Sequence, residues 1–447
     1  MSILNVNKIN PVGGGSTITI VGIASVTSSV TAPSFVGAVT GNVTGNVTGN
    51  VTGNVTGNSD TASGLSGNPS INTTGIVTAT SFVPTVGQLS HRNIIINGSF
   101  QVAQRGTTST TPGDSFQTTD RIGYIRSGLS ENTTQAQVDV TNDAEPYALG
   151  LRKSLKLTNG NNTADAAQYQ TIMTKIEADD MARSGWNYTS SSSYITFSCW
   201  VKSSVAQNFY GYFYAPNRSG GGDIYPFETG SLTANTWTKI IKSVPGHTNV
   251  TFSAGVGWGL QVLLSPYFGT NYTSSGVSLN TWAAYSGGGT RTPDYTTTWQ
   301  TTNDATFETT GWQLEVGPVA TPFEHRSYAD DLRHCQRYFT FIPSGTVFPG
   351  RGNSGSSYIY SYQAPVSMRA SPTIGVSNDL AHGTFSVRRY RDATGVSDST
   401  STPTTSSTYF QGNTNMIHLI QGGFTGADDR SATLFVGGGA ITIDAEI

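Results

Sequence analysis

Residues 39–58 read Val39-Thr40-Gly41-Asn42 and then repeat that tetrad without a break to Asn58, five copies in all. A period of four is a multiple of two, the side-chain period of an extended strand. In an extended chain Val39, Val43, Val47, Val51 and Val55 share one face with Gly41, Gly45, Gly49, Gly53 and Gly57, and Thr and Asn occupy the other. A single chain cannot bury that Val/Gly stripe. Three chains around an axis can, with valine pointing inward and glycine letting the backbones approach. Fully extended, the segment spans roughly 65 Å at about 3.3 Å per residue. If each Gly-Asn pair is a turn, it is a shorter stack of bends. A flexible Gly-rich linker is the competing reading, and the regular β-branched Val and Thr argue against it.

A second repeat flanks the first. Thr31-Ala32-Pro33-Ser34-Phe35-Val36 returns as Thr78-Ala79-Thr80-Ser81-Phe82-Val83, each copy following a Gly-Ile pair. Short units that cannot bury a core alone point to stacking or multimerisation. Residues 1–38 read as an attachment end and proximal shaft, and 39–90 as the repeat shaft.

Composition supports an assembly of this kind. Charged residues make up 11% of the 447, against about 25% in ordinary soluble proteins. Such a chain relies on backbone hydrogen bonds, uncharged polar surface and burial against copies of itself. Disorder of the whole chain is argued against by a net charge of only -3 and by 10% aromatics. No basic footprint suggests nucleic acid. No signal sequence stands at residues 1–15 and no apolar run is long enough for a bilayer, so neither membrane insertion nor standard secretion is expected. Cys199 and Cys335 form neither a disulfide framework nor a metal motif. No cofactor or metal is expected.

From about residue 91 the pattern changes. Apolar or alternating runs bounded by Gly, Ser and Asn predict strands at 93–100, 194–201, 209–214, 236–241, 260–264 and 311–316. Many short strands indicate an antiparallel β-sandwich or jelly roll over 91–326. Segment 171–183 reads as a short flanking helix. Ser327-Tyr328-Ala329-Asp330 resembles a capping box. Tyr328, Leu332, Cys335 and Phe339 then follow at helical spacing. This connecting helix, 327–339, docks either on its own sandwich or on a threefold axis through Leu332 and Phe339. Strands at 357–362, 384–390, 416–420, 432–436 and 440–447 predict a distal β domain over 340–447, with a Ser/Thr-rich loop at 392–408.

Several stretches resemble phage tail-fibre proteins, especially those of cyanophages: the start Met1-Ser2-Ile3-Leu4-Asn5-Val6-Asn7-Lys8-Ile9-Asn10-Pro11, the Val-Thr-Gly-Asn repeats, and the Thr-Ala-Thr-Ser-Phe-Val unit. Asn93-Ile94-Ile95-Ile96-Asn97-Gly98-Ser99-Phe100 is similar to the opening of a fibre module often likened to carbohydrate-binding domains. An Asp-Arg-Trp usual in that module is Asp120-Arg121-Ile122 here. Gly311-Trp312-Gln313-Leu314-Glu315-Val316-Gly317, then Thr321-Pro322-Phe323-Glu324-His325-Arg326, is similar to its close. The resemblance implies a virion protein, assembled in the host cytoplasm as a homotrimer. Its N-terminus would be anchored on a tail, baseplate or nozzle protein, and it would attach to host polysaccharide or lipopolysaccharide.

Candidate binding residues lie distally. Tyr358, Tyr360 and Tyr362 alternate onto one strand face, suited to stacking on sugar rings or to filling a core or trimer interface. Arg388, Arg389, Tyr390 and Arg391 form the densest charge cluster, suited to an anionic polysaccharide or to an internal ion network. The tryptophans between Trp186 and Trp312 read as core, with Trp282 and Trp299 as candidates for exposure. No catalytic motif occurs. Asp179-Asp180, Asp330-Asp331 and Asp428-Asp429 are adjacent carboxylates, whereas glycoside cleavage needs two of them facing across a groove. The expectation is a mainly β, elongated trimeric attachment fibre without enzymatic activity. The alternatives are a polysaccharide-cleaving spike and a purely structural connector.

Overall fold

A computed structural model describes residues 91–446 except 111–115, 219, 286–288, 290, 344, 355–356, 377–384, 392–394, 402–415, 423–430 and 436–439. Both repeats, including Val39, Val43, Val47, Val51 and Val55, lie outside the described residues, as does the Asp428-Asp429 pair.

In chain order the strands and helices begin with β1 (Thr108–Ser109), β2 (Gly123–Ser127), β3 (Thr134–Asp139), α1 (Glu145–Ala148), β4 (Lys153–Thr158), β5 (Tyr169–Glu177) and α2 (Ala178–Arg183). Then come β6 (Tyr194–Ser203), β7 (Asn208–Pro216), β8 (Gly222–Ser231), β9 (Thr238–Pro245), β10 (Trp258–Phe268), β11 (Ala283–Ala284), α3 (Thr298–Thr301) and β12 (Thr306–Val316). These build two six-stranded sheets, β1-β3-β4-β12-β6-β9 and β11-β8-β7-β10-β5-β2. Their strand pairs are antiparallel.

The core between the sheets follows from alternation. On β6, Ile195, Phe197, Cys199 and Val201 point inward; on β7, Phe209, Phe213 and Ala215 do so. Phe197 meets Phe213 edge-on at 6.0 Å and Phe209 meets Phe307 at 4.9 Å. Cys199 is a buried free thiol whose ionisation burial opposes. In β12 a register shift between Thr310 and Gln313 marks a bulge at Gly311, whose φ is 64°. Only glycine takes that conformation without strain. The bulge sends Trp312 fully inside, where its indole N–H reaches Thr309 Oγ1 at 2.7 Å.

Two expected elements differ. Residues 93–100 are not a strand but an irregular buried segment with positive φ at Asn97 and Phe100. Segment 171–183 is a strand through Glu177, and only Ala178–Arg183 is helical. β5 lies between β10 and β2, so the pairing partners on both sides override its weak helical pattern.

The second half opens with α4 (Tyr328–Gln336) and continues through β13 (Phe339–Ile342), β14 (Val347–Ser354), β15 (Ser357–Gln363), β16 (Thr373–Val376), β17 (Phe385–Arg391), β18 (Gly395–Ser401), β19 (Met416–Gly422), β20 (Ser431–Phe435) and β21 (Ile441–Asp444). They form sheets β13-β21-β16 and β18-β17-β20-β14-β15-β19. β18 occupies part of the expected Ser/Thr-rich loop. Ser327 caps α4, its hydroxyl accepting from the Asp330 amide at 3.2 Å. Acidic residues in the first turn and basic ones in the last complement the helix dipole.

The predicted helical stripe is redistributed. Cys335 is fully buried, Leu332 is half-buried, and Tyr328 is exposed. Asp331, which is not part of that stripe, is buried and accepts from Gln101 Nε2 at 2.8 Å. Phe339, a candidate for a threefold axis, begins β13 and lies under the Arg105 guanidinium of its own chain at 3.6 Å. At 4% exposure it has its partner within the chain.

Candidate functional site

The stretches that resemble a fibre module clamp the fold. Asn93 Nδ2 donates to the Trp312 carbonyl at 3.0 Å, while Asn93 Oδ1 accepts from the Leu314 and Ile95 amides. The Glu324 carboxylate accepts from the amides of Arg92 and Asn93. Together these bonds satisfy a buried segment that has no strand partner. Asp120 and Arg121 are equally structural. Asp120 is 1% exposed and receives the Gln104 amide at 2.9 Å. Arg121 lies on the Tyr338 ring at 3.5 Å and pairs with Glu446. Ile122, where an aromatic was expected, is fully inside the core.

The distal candidates separate. Tyr358, Tyr360 and Tyr362 do alternate along β15, opposite Gly352, Gly350 and, on the other side, Ile417. Tyr360 is 1% exposed and covers Gly350, where an added Cβ would stand 2.3 Å from its ring. Tyr362 is half-buried and meets Phe348 edge-on at 6.0 Å. The face around Tyr360 and Tyr362 is therefore packed rather than open for stacking. The Arg388–Arg391 run belongs to β17, which β20 and β14 separate from β15 in the sheet. Arg388 stands opposite Asp398 on β18.

The adjacent carboxylates are engaged locally. Asp179 pairs with Arg183 one turn on at 3.2 Å, Asp330 accepts from the Ser327 hydroxyl at 2.6 Å, and Asp331 is the partner of Gln101. A cleft of about 370 Å³ touches Asp180, Arg183, Arg326, His334 and Arg337. Arg337 in this cleft makes a two-pronged contact with buried Glu177 at 3.0 Å for each bond. Among the described residues no cluster of His, Cys, Asp and Glu is placed to hold a metal. No described helix is long and apolar enough to cross a membrane.

An aromatic surface forms elsewhere, on the outer face of the sheet containing β7. The run Phe209-Tyr210-Gly211-Tyr212-Phe213-Tyr214 points its phenylalanines into the core, which sends Tyr210, Tyr212 and Tyr214 outward. Register extends the face across the sheet: Tyr212 lies between Pro226 of β8 and Leu263 of β10, with Met173 of β5 beyond. Tyr214 stacks on Trp258 at 5.1 Å and 15°, and meets Tyr285 edge-on at 5.2 Å. Tyr214, Trp258 and Tyr285 are half-buried, while Tyr212 is buried. Tyr214 lies over Gly222, where a Cβ would stand 2.2 Å from its ring, so only glycine leaves room for this pose.

The described residues between Gly269 and Thr297 return along this face. The Tyr285 amide donates to the Gly222 carbonyl at 2.8 Å, and the Arg291 amide to Tyr272 at 3.1 Å. Tyr295 straps the return, its hydroxyl donating to the carbonyls of Tyr210 and Ser265 at 3.2 and 3.1 Å. Tyr169 and Tyr272 add an edge-on pair at 5.1 Å. Burial raises the ionisation of Tyr210, Tyr212, Tyr214 and Tyr295 above the usual phenol range, so their hydroxyls stay neutral at physiological pH. Flat rings with neutral polar tips can stack on the apolar faces of sugar rings and hydrogen-bond their rims.

Sequence reading overlooked this surface although its signal was present. Tyr210, Tyr212 and Tyr214 alternate with Phe209, Gly211 and Phe213, which puts the tyrosines together on the face opposite the phenylalanines. Of the tryptophans proposed for exposure, Trp299 is fully buried and Trp282 is half-buried, donating to the Pro245 carbonyl at 2.7 Å. Trp258 is the one on the aromatic face.

No family model and no curated protein matches the chain. Solved structures give partial likenesses. One is the xylanase 10B of Clostridium thermocellum, its CBM22-1 and GH10 modules complexed with xylohexaose: 8% identity, 50% of this chain, 28% of that one, TM-score 0.25. Another is the enzymatically active domain of tailspike protein 4 of bacteriophage CBA120: 10% identity, 50% of this chain, 21% of that one, TM-score 0.25. A third is the CBM22-1 xylan-binding domain of Paenibacillus barcinonensis Xyn10C: 10% identity, 49% of this chain, 99% of that one, TM-score 0.23. The chain thus spans about a quarter of the length of the first two. Likeness at this level transfers neither ligand nor activity.

Proposed function

We propose that this chain is a subunit of a viral tail fibre that attaches the particle to a host-surface glycan, with the Tyr214–Trp258–Tyr285 face as the contact surface. The observation that carries the glycan reading is the stacked Tyr214–Trp258 pair on the outer face of the sheet. Phe209 and Phe213 of the same strand fill the core between the sheets, while Tyr214 and Tyr285 pack on a second buried cluster around Tyr212, Met173 and Leu263 and stay half-buried at its edge. The tail-fibre reading is supported by the five Val-Thr-Gly-Asn tetrads and by the stretches that resemble phage fibres. Assembly as a trimer, docked by its N-terminus on a tail, baseplate or nozzle protein, would convert weak single sites into avid attachment. The reading is of binding, with the adjacent aspartates serving as caps and local ion partners.

The full chain should bind a subset of a glycan array without releasing reducing ends. Light scattering should give three times the chain mass of 47.2 kDa. A monodisperse monomer contradicts the trimer, and sustained release of reducing ends contradicts pure binding.

A further inference from the structure

We propose that the aromatic face takes an anionic glycan, one bearing a carboxylate or sulfate, and that Arg291 recognises the anion. This rests on the reading of that face as a glycan site.

Arg291 lies among the rings rather than at an acid. Its guanidinium carbon stands 4.7 Å from the Tyr272 ring centre, 5.5 Å from Phe268, 5.7 Å from Tyr285 and 5.8 Å from Tyr169. Nε and Nη2 donate to one acceptor, the Tyr285 hydroxyl, at 3.3 and 2.9 Å. The Tyr212 and Tyr169 phenols are near enough to act on it electrostatically. Among the described residues Arg291 makes no ion pair. Arg105, Arg121, Arg183, Arg326 and Arg337 each pair with a carboxylate, and Arg92, Arg152 and Arg369 donate to backbone carbonyls, whereas Arg291 donates to a phenol hydroxyl among aromatic rings.

The buried part of a charged group is ordinarily paired or hydrogen-bonded. Guanidinium carries five donors in a planar fork, and the tyrosine hydroxyl engages two of its nitrogens. The remaining N–H groups suit a carboxylate or sulfate. The cation is held beside the Tyr214–Trp258 pair through their shared neighbour Tyr285, which touches both Tyr214 and Arg291. A sugar ring on the stacked pair with an acidic group toward Arg291 would use both features at once. The alternative is that Arg291 is a strut that only positions Tyr285. A strut would affect neutral and acidic ligands alike.

The test is a glycan array carrying neutral oligosaccharides beside uronate-, sialate- and sulfate-bearing ones. It is probed with the full wild-type chain, Arg291→Gln and Arg291→Lys at two salt concentrations. The expected hits are acidic, weaken with salt, and lose about 10–100-fold in affinity in Arg291→Gln. Arg291→Lys should keep part of the salt-dependent binding, because it keeps the charge without the fork. Neutral hits only, or acidic hits that survive Arg291→Gln, overturn the assignment to Arg291 and leave the glycan face standing. Equal loss of neutral and acidic binding identifies a strut and also overturns it. Absence of any hit overturns the glycan reading itself. If Arg291→Gln does not fold, salt-insensitive binding by the wild type is the overturning result.

Discussion

The Arg121 guanidinium is held by the carboxylate of Glu446, 325 residues further along the chain. Both groups are buried, with 2% and 9% of their side chains exposed. The same segment is anchored by Arg369, which donates to the carbonyls of Ala445 and Glu446 at 2.8 and 3.1 Å. Sandwich and distal sheets are therefore joined by charge as well as by α4. Glu446→Ala strands a buried cation and is expected to cost about 3–5 kcal/mol in chemical denaturation. Replacing Arg121 by Met in the same chain should recover part of that loss. A cost below about 1 kcal/mol for Glu446→Ala contradicts the linkage.

Gly98 touches Trp312 backbone to backbone. The Trp312 amide donates to the Gly98 carbonyl at 2.9 Å, and a Cβ on Gly98 would lie 2.0 Å from the Trp312 oxygen. Neither peptide can yield easily, since Trp312 is packed against Phe197 and Phe100. Gly98→Ala should destabilise the chain by about 2–3 kcal/mol, read as a lower denaturation midpoint at unchanged slope. Gly185, which has nothing near its Cβ position but has φ of 84°, supplies the comparison: Gly185→Ala tests conformational strain without a clash.

Burial pushes the Asp120 carboxyl up to about 6, from 3.8, in spite of hydrogen bonds from Gln104 and the nearby Arg105. The folded chain therefore holds a proton that the unfolded chain has lost between those two values. Stability from this group is present below about pH 4 and is lost as pH rises through about 6. Asp120→Asn removes the titration. The stability of the variant relative to wild type should rise by about 2–3 kcal/mol between pH 4 and pH 7. Parallel stability curves for the two proteins would show that Asp120 does not titrate in this window.

Strands with clean alternation were legible in sequence, β6 and β7 above all, because one face of each meets a core of Phe and Ile. The Asn93–Phe100 stretch was not, because its run of isoleucines looks like a strand while Asn93 and Glu324 supply the hydrogen bonds a strand partner would. The polar edge strand β18 has no hydrophobic pattern to announce it. At the proposed binding surface, Tyr210, Tyr212 and Tyr214 could have been found from their spacing. Trp258, Tyr285 and Arg291 could not, since they come together only when the chain after β10 folds back over the sheet.

The central claim is that the Tyr214–Trp258 stack is where glycan is bound. Its most direct test is to titrate one array-identified glycan into the full wild-type chain, Trp258→Ala and Tyr214→Ala, with thermal unfolding confirming that each variant is folded. Each truncation of an anchoring aromatic is expected to cost about 2 kcal/mol, roughly a 30-fold loss of affinity. Unchanged affinity in both folded variants would contradict the account.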